Sequence, residues 1–295
     1  MSKYHLPKGS SADAAYGLVI TPESAGWGHS GLRILNLAPG ESHALDTADS
    51  EFLVLPLRGG CAVTVDGEVF ALDGRSGVFD SATDFAYLPR GSKALISSAS
   101  GGTFALPSAR TEAVLPPRYG RKEDVPVELR GAGNCSRQVN NYCLPGTFDA
   151  DQLLVCEVLT PGGNWSSYPP HKHDEARTDA DGNPVESDLE EIYYFEIDGG
   201  ENAFGYQRVY GTAERPIDVL AEVRSGDAVL IPHGWHGPSI AAPGYDLYYL
   251  NVMAGPGHDR AWLICDDPDH GWVRRTWESQ PTDPRLPFGA SEATA

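Results

Sequence analysis

The side chains best suited to metal chemistry include a closely spaced pair of histidines in the second half of the chain. His171 and His173 stand two positions apart in "SSYPPHKHDE", directly after two prolines. In a β-strand, such residues project from the same face with Cα atoms about 6.6 Å apart, which suits two imidazole nitrogens at ~2.1 Å from one ion. By the same alternation, Lys172 points the other way and is predicted to be a surface or supporting group rather than a ligand.

Two further residues complete a candidate ligand set. Glu191 begins the apolar run "EIYYFEIDGG" and is preferred to Glu190, which would point to the opposite face. His236 ends the Pro-x-Gly-x-His turn "PHGWH", in which Gly234 allows a tight bend, while His233 is expected to face solvent. Three imidazoles and one carboxylate suit zinc, manganese, iron or nickel and leave positions open for substrate. We therefore predict one divalent metal per chain, with zinc as the first choice.

The elements that must position these residues are short β-strands. Apolar or alternating runs are punctuated by Gly and Pro, as in "EFLVLPLRGG", "CAVTVDGEVFALDG", "QLLVCEVLTPGG" and "YDLYYLNVMAG". Amphipathic helical patterns of ten residues or more are absent from the sequence. Regularly spaced strands with turn signals indicate an all-β protein built from sandwiches or barrels.

The sequence also contains an internal repeat at a period of about 140 residues. "EFLVLPLRGG", from Glu51, aligns without gaps on "EIYYFEIDGG", from Glu191, and "LPRGSK" lies over "IPHGWH". Two copies of one β domain follow, with residues 1–125 and 126–278 as the domains and 279–295 as a loosely ordered tail. Lys93 stands where His236 does, so the first copy is expected to lack the metal site.

Composition restricts the partners and the compartment. The formal charge of −19 argues against binding to nucleic acid or anionic membranes, and no apolar run is long enough to span a bilayer. The five cysteines are scattered and odd in number, which favours reduced thiols over a disulfide framework. Together with the polar N-terminal residues, these features predict a cytoplasmic protein, for which we also expect a homo-oligomer.

These residues carry a resemblance to a known family. The pattern G-x₇-H-x-H, then Glu on a strand, then G-D-x₃-I-P-x-G-x-H resembles the paired metal motifs of the cupin superfamily. Over residues 3–277, and most specifically in "GNWSSYPPHKHD", the chain is similar to the 5-deoxy-glucuronate isomerase family of myo-inositol catabolism. That resemblance implies two cupin-like β-barrels in one chain, and metal-assisted interconversion of 5-deoxy-D-glucuronate and 5-dehydro-2-deoxy-D-gluconate. It also accommodates the acidic insertion at 174–190, which we expect to be a solvated loop or a lid.

An aldose–ketose isomerase needs a base and, for a sugar acid, a carboxylate receptor. Glu157 in "LLVCEVLTP" is the candidate base, since burial would raise its pKa, although a core carboxylate paired with an arginine is an equal alternative. Arg137 is favoured as the receptor, with Arg260 as its rival and a structural role open for both. Tyr168 is a further candidate for the pocket wall, where packing is the alternative.

Two other functions remain compatible with the motifs. The same four ligands could hold Fe(II) in a cupin dioxygenase, which would consume oxygen. A protein that binds a sugar acid without transforming it, around a structural metal, is the non-enzymatic alternative.

Overall fold

The computed structural model describes residues 2–289. Nearly all of the regular structure is β-strand, which confirms the predicted fold class. The strands of the first half are β1 (His5–Leu6), β2 (Tyr16–Ile20), β3 (Ser30–Leu37), β4 (Ser42–Asp46), β5 (Ser50–Val65), β6 (Glu68–Arg75), β7 (Phe85–Leu88), β8 (Lys93–Ser97), β9 (Gly102–Arg110) and β10 (Arg118–Gly120).

The strands of the second half are β11 (Val127–Arg130), β12 (Arg137–Cys143), β13 (Leu154–Thr160), β14 (Trp165–Ser166), β15 (His171–Lys172), β16 (Asp174–Thr178), β17 (Pro184–Asp188), β18 (Glu190–Ile197), β19 (Gly205–Tyr210), β20 (Asp218–Val223), β21 (Ala228–Ile231), β22 (Trp235–Ala241), β23 (Leu247–Ala254) and β24 (Cys265–Asp266). The helical segments are short: α1 (Pro22–Ala25) and the 3₁₀ turns Lys122–Asp124, Gly133–Cys135 and Gly271–Ser279. Within the described residues, no helix is long and apolar enough to cross a membrane.

The N-terminal domain is a barrel organised by one long strand. The first half of β5 pairs with β7 and β9, and its second half pairs with β6 and β8, so this strand belongs to both walls. The bend falls at Gly59, whose φ of 80° favours glycine and where a Cβ would lie 2.5 Å from the carbonyl oxygen of Gly101. The interior is filled by apolar side chains such as Phe52, Val63 and Phe104.

The C-terminal domain has two sheets that enclose a second apolar interior. One sheet has the strand order β1-β21-β18-β23-β13-β12-β11, and the other has the order β20-β19-β22-β15-β24 with β14 beside β22. The interior includes Val139, Cys156 and Tyr249 from the first sheet and Val209 and Val219 from the second. This interior is the one that the metal-ligand candidates enter.

A third apolar core joins the two domains. Ile192 and Leu250, on the outer face of the seven-stranded sheet, pack in one cluster with Leu32, Leu53 and Leu55 of the N-terminal domain. Strands of this sheet that lie at the junction are therefore apolar on both faces: one face lines their own barrel, and the other packs against the N-terminal domain. This explains why its strands read as nearly continuous apolar runs.

The two domains also dock through a reciprocal pair of glutamates. Glu51 accepts hydrogen bonds from the backbone N–H groups of residues 151–153 at 2.7–3.0 Å, and Glu190 accepts three from residues 28–30 at 2.6–2.9 Å. The strand register agrees: Phe52 pairs with Leu88 as Glu191 pairs with Ile231. The repeat thus aligns Glu51 with Glu190, which corrects the sequence alignment of Glu51 on Glu191 by one residue.

The structure differs from the predicted domain limits near both ends of the chain. The chain passes from the sheet that contains β10 to the sheet that contains β11 between Gly120 and Val127, and the strand His5–Leu6 pairs with β21 and so extends the C-terminal sheet. The tail packs over its described part, 279–289, because Asp283 bonds Ser136 and Asn164 at 3.0 and 2.9 Å. Residues 290–295 lie outside the described part of the chain.

Candidate metal centre

The four ligand candidates come together inside the C-terminal barrel. Glu191 enters it at the start of β18, on the face that also carries Tyr193, while Ile192 turns to the inter-domain core. His171 of β15 and His236 of β22 are directly opposed in the facing sheet. His173 follows β15, and its carbonyl accepts the backbone N–H of Leu189 at 2.9 Å, which brings it beside the start of β18.

Distances define a compact cluster. The Oε2 atom of Glu191 lies 3.3 Å from Nε2 of His173 and 3.1 Å from Nε2 of His236, and all three residues are at most 2% exposed. The ring of His171 is centred 4.4 Å from that of His236 and 6.3 Å from that of His173. One ligand atom from each of His173, Glu191 and His236 fits within 4.8 Å of the others, and His171 borders this group.

Hydrogen bonding leaves the cluster with unused lone pairs. Nδ1 of His171 lies 3.3 Å from the carbonyl oxygen of Pro169, and Nδ1 of His236 lies 3.3 Å from that of Gly234. A proton on each Nδ1 leaves Nε2 as the electron-pair donor. Both oxygens of Glu191 and the Nε2 atoms of His173 and His236 are buried without a hydrogen-bond partner. Buried orphan atoms are costly, and a bound cation would satisfy them together.

Electrostatics holds Glu191 and His171 in the state that a metal ligand needs, whereas Glu191 outweighs burial and raises the pKa of His173. Burial raises the pKa of the Glu191 carboxyl, but His236 and His173 outweigh burial and lower it to about 2. Burial, reinforced by the neighbouring imidazoles, lowers the pKa of His171 well below its usual value. At neutral pH the cluster therefore offers an ionised carboxylate and an uncharged His171 imidazole, as metal ligation requires.

The turn that delivers His236 depends on glycine. Gly234 has a φ of 93°, and a Cβ there would lie 2.7 Å from the carbonyl oxygen of Tyr210. Its N–H donates to Asp174 at 2.8 Å, which ties the turn to the segment after His173.

The N-terminal barrel is different at the matching position. Phe52 fills the place of Glu191 and packs in the apolar interior, and Lys93 is exposed. Among the described residues, both groups of side chains that could hold an ion belong to the C-terminal domain. The second of these groups, Asp174, Glu175 and Glu186, surrounds Lys172, whose Nζ lies within 3.0 Å of each carboxylate. Arg177 and Arg215 pair with Glu186 and Asp174, so three cations balance the three carboxylates.

Lys172 and the acidic insertion thus form one structural unit. The insertion is a β-hairpin of β16 and β17, which corrects the expectation of a loop. Lys172 points away from the ligands, as strand alternation predicts, and stacks on Trp235 at 5.7 Å from the ring centre. The "DADGN" turn is closed by Asp179, which accepts from the backbone of Asp181 and Asn183.

A cavity of about 480 Å³ opens beside the cluster. It is lined by His171 and, among others, by Arg137, Val139, Val158, Tyr193, Asn251 and Arg274. Tyr193 is centred 6.0 Å from the His236 ring, and its hydroxyl lies 2.9 Å from that of Ser167. The cavity therefore connects the candidate metal centre to a set of polar and cationic side chains.

Arg137 is the charged group in this cavity that lacks a carboxylate partner among the described residues. Its Nη1 donates to the carbonyl of Cys135 at 3.0 Å, and its guanidinium lies over Trp277. Burial, with Arg130 and Arg274 close by, lowers its pKa to about 10. Arg130 and Arg274 are paired instead, with Glu128 and Asp266. A buried, unpaired guanidinium is a ready receptor for an anionic ligand.

The structure corrects the assignment of Glu157 as a base. Glu157 lies on the opposite face of β13 from Val158, in the junction between the domains, and is fully buried. It pairs with Arg75 of the N-terminal domain and accepts from Asn140, Tyr142 and Tyr248 at 2.8–3.1 Å. This is the alternative of a core carboxylate paired with an arginine. Tyr248 is therefore part of this buried network.

Arg260 and Tyr168 are also outside the cavity that contains Arg137. Arg260 donates to the carbonyls of Leu153 and Phe148 and lines a separate cleft beside the hairpin. Tyr168 faces an outer groove with Trp165 and His270. Because neither residue lines the cavity beside the metal centre, the structure does not support them as substrate-binding residues.

Sequence reasoning missed several residues of the cavity. Tyr193 could have been found, because it stands two positions after Glu191 and therefore shares its face. Asn251 is a polar residue inside an apolar strand, and its Oδ1 atom is buried without a partner. Arg274 lies in the 3₁₀ turn Gly271–Ser279, and no local sequence pattern predicts its place in the cavity wall.

This fold and site define a class of protein: the two-domain cupins with a buried cluster of three histidines and one glutamate. The chain belongs to the KduI/IolB family, whose model matches residues 5–273, which confirms the resemblance inferred from the motifs. A relative named 5-deoxy-glucuronate isomerase, from Geobacillus kaustophilus, is 42% identical over 92% of this chain and 96% of its own length. One of the same name from Shouchella clausii is 43% identical over 76% and 79%.

Solved structures agree on the fold. An IolB-like protein from Salmonella typhimurium has a TM-score of 0.83 and 32% identity, covering 92% of this chain and 99% of that one. An oxalate decarboxylase from Lactobacillus farciminis has a TM-score of 0.63 at 13% identity, covering 95% and 97%. The latter likeness supports the fold alone.

Proposed function

We propose that the protein is a metal-dependent aldose–ketose isomerase that converts 5-deoxy-D-glucuronate to 5-dehydro-2-deoxy-D-gluconate in inositol catabolism. The family and the names of its relatives support the reaction. The observation that carries it is a cavity that connects His171, at the edge of a cluster with orphaned ligand atoms, to the guanidinium of Arg137, which has no carboxylate partner among the described residues. A sugar acid with a carbonyl at one end and a carboxylate at the other complements both.

His171, His173, Glu191 and His236 would hold the metal. A divalent ion bound there would act as a Lewis acid on the substrate carbonyl and stabilise the negative charge that develops when the neighbouring proton leaves. The donor set of nitrogen and carboxylate oxygen suits zinc first, with manganese, iron and nickel as alternatives.

Arg137 would bind the substrate carboxylate. Its planar fork makes two parallel charge-assisted hydrogen bonds with a carboxylate, and its burial strengthens such a pair. Arg130 and Arg274 add positive potential while keeping their own partners.

Tyr193 would hold a proton near the reacting carbons. Burial, with the nearby Glu191 and Tyr249, raises the pKa of its hydroxyl well above the usual value, so the phenol remains protonated at neutral pH. From its place between Ser167 and His236, the hydroxyl can donate a hydrogen bond to a substrate oxygen. A protonated phenol donates a hydrogen bond and does not accept the substrate proton, so Tyr193 does not take the role of base that was expected of Glu157.

A cytoplasmic location and a homo-oligomeric state complete the proposal. The five cysteines are unpaired, which suits a reducing compartment.

The test is conversion of 5-deoxy-D-glucuronate in D₂O, followed by proton NMR with and without a chelator. We expect the keto product, its loss on chelation, and deuterium at the new methylene if the proton passes through an enediol. Glu191→Gln should be inactive, whereas Glu175→Gln, on the exposed side of the hairpin, should retain activity. Absence of product, or full activity in Glu191→Gln, would refute the proposal. Oxygen consumption would instead indicate a dioxygenase.

A further inference from the structure

The hairpin of β16 and β17 lies in the chain between two of the metal-ligand candidates. It begins directly after His173 and ends just before β18, the strand that carries Glu191. No residue of the hairpin is among the described residues that line the cavity beside the metal centre. Its contacts are instead with the segments of the chain that carry the histidine ligands.

Asp174, the first residue of the hairpin, connects the two segments that deliver histidines to the cluster. Its Oδ1 atom lies 2.6 Å from Nζ of Lys172, the residue between the paired histidines. Its Oδ2 atom accepts the backbone N–H of Gly234 at 2.8 Å, and Gly234 stands two residues before His236. One carboxylate therefore bridges the His-x-His segment to the turn that ends in the third histidine.

Buried charges on both strands of the hairpin hold this bridge. Asp174 is 9% exposed, and its Oδ2 atom also lies 3.1 Å from Nη1 of Arg215. Glu186, on the returning strand, accepts the backbone N–H of Asp174 at 3.2 Å and lies 2.7 Å from Nζ of Lys172. Hydrogen bonds between ionised groups are the strong ones, so these contacts fix the carboxylate of Asp174 relative to the ligand segment.

The ligand segment needs such support because its own strand is short. β15 contains only His171 and Lys172, and it meets β22 at the pair of His171 and His236. His173 lies beyond the end of the strand. A metal ion binds more tightly when its ligands are already held in place, because the free energy of ordering them has then been supplied by the fold.

We propose that Asp174 is a positioning residue for the metal centre: its bridge from Lys172 to Gly234 holds the histidine ligands in place and raises the affinity for a divalent metal ion. The acidic insertion then braces the ligands and is not a lid over the cavity. This inference rests on the metal site of the proposed function.

The test compares Asp174→Ala, Asp174→Asn and Glu175→Gln in the full-length protein. Alanine removes both oxygens of the bridge, whereas asparagine keeps one acceptor and loses the charge. Glu175→Gln is the matched control, because Glu175 contacts the same two cations, Lys172 and Arg215, through a side chain that is 48% exposed. Its carboxylate is not the one that accepts from Gly234.

The first readout is the Kd for zinc of each metal-free protein, measured by competition with a chromophoric chelator. We expect Asp174→Ala to raise this Kd at least about 10-fold, the usual effect of removing a group that orients metal ligands. Asp174→Asn should lie between Asp174→Ala and the wild type, since it keeps an acceptor for the backbone N–H. Glu175→Gln should stay within about twofold of the wild type, because exposed ion pairs contribute little.

The second readout separates positioning of the ligands from a general loss of stability. Cobalt(II) bound in place of zinc has visible absorption bands that depend on the geometry of its ligands. These bands should shift in Asp174→Ala and keep their wild-type positions in Glu175→Gln. Circular dichroism first verifies that each metal-free protein is folded, and Asp174→Asn replaces Asp174→Ala in both comparisons if the alanine variant does not fold.

Equal zinc Kd values and identical cobalt spectra in the Asp174 variant and in Glu175→Gln, with zinc bound by the wild type, would overturn this inference and leave the proposed function standing. A wild type that binds zinc but does not convert 5-deoxy-D-glucuronate would overturn the proposed function and leave this inference standing. A wild type that binds neither zinc nor cobalt would overturn both.

Discussion

Replacing Arg137 by methionine should weaken substrate binding and at the same time stabilise the ligand-free protein. The guanidinium is 6% exposed and has no carboxylate partner among the described residues. Burial lowers its pKa from the usual arginine range to about 10, and at about 1.4 kcal/mol per pKa unit this shift corresponds to a destabilisation of roughly 3 kcal/mol. The variant also loses the hydrogen bond to the Cys135 carbonyl, which costs about 1 kcal/mol. The net increase in the free energy of unfolding of Arg137→Met should therefore be roughly 2 kcal/mol.

The pH dependence follows from the direction of that shift. Between about pH 10 and the usual pKa of an arginine, the unfolded chain binds the Arg137 proton more tightly than the folded chain does. The penalty is therefore complete below about pH 10 and disappears as the pH rises through that interval. In Arg137→Met this contribution to the pH dependence of stability is lost.

Substrate binding should change in the opposite sense. Removing one member of a buried charge pair costs about 2 kcal/mol or more, so kcat/KM for 5-deoxy-D-glucuronate should fall at least about 30-fold. Thermal unfolding of the ligand-free protein and steady-state kinetics measure the two effects. Arg260→Met is the control: it should lower Tm, because Arg260 binds two backbone carbonyls, and leave KM unchanged. A less stable Arg137→Met protein with unchanged kinetics would refute the reasoning.

Three other perturbations test parts of the structure. His236→Ala should lose most bound metal by elemental analysis while the protein remains folded by circular dichroism, because the ligand removed is one of the cluster's nitrogen donors; full metal content would contradict the assignment. Glu157→Gln should lower the free energy of unfolding by about 3 kcal/mol in denaturant titrations, since it leaves the Arg75 guanidinium buried without its counter-charge, and Arg75→Met in the same protein should recover part of this loss; no recovery would argue against the pair. Glu190→Gln should weaken domain docking by about 2 kcal/mol, read as faster amide exchange at residues 28–30, and unchanged exchange would show that the carboxylate is dispensable.

Much of the metal centre followed from the sequence because strand alternation fixes which side chains share a face. That rule placed His171 with His173, separated Glu190 from Glu191, and turned Lys172 away. It could not align the repeat, because adjacent glutamates at 190 and 191 both match a lone Glu51 in one dimension. Only the register showed that Glu190 shares the docking role of Glu51.

The remainder of the site depended on information that a single strand does not carry. In the sequence, a catalytic base and a core carboxylate paired with an arginine would both look like a buried glutamate at position 157. The structure distinguishes them, because the face of β13 that carries Glu157 contacts Arg75 of the other domain. The sequence favoured Arg137 over Arg260 as the receptor, but the surroundings that separate them, a cavity wall for Arg137 and two backbone carbonyls for Arg260, arise only in the final packing. The acidic residues of the insertion at 174–188 predicted a solvated loop. In the structure Lys172 forms ion pairs with three of these carboxylates and stabilises the hairpin, a set of contacts that the number of acidic residues does not reveal.

The most direct test of the account titrates zinc into the metal-free protein while NMR follows conversion of 5-deoxy-D-glucuronate. Activity should rise in proportion to bound metal and reach a plateau at about one equivalent per chain, because one barrel carries the ligand cluster and the other carries Phe52 in the place of Glu191. Conversion at the full rate in the metal-free protein would contradict the central claim.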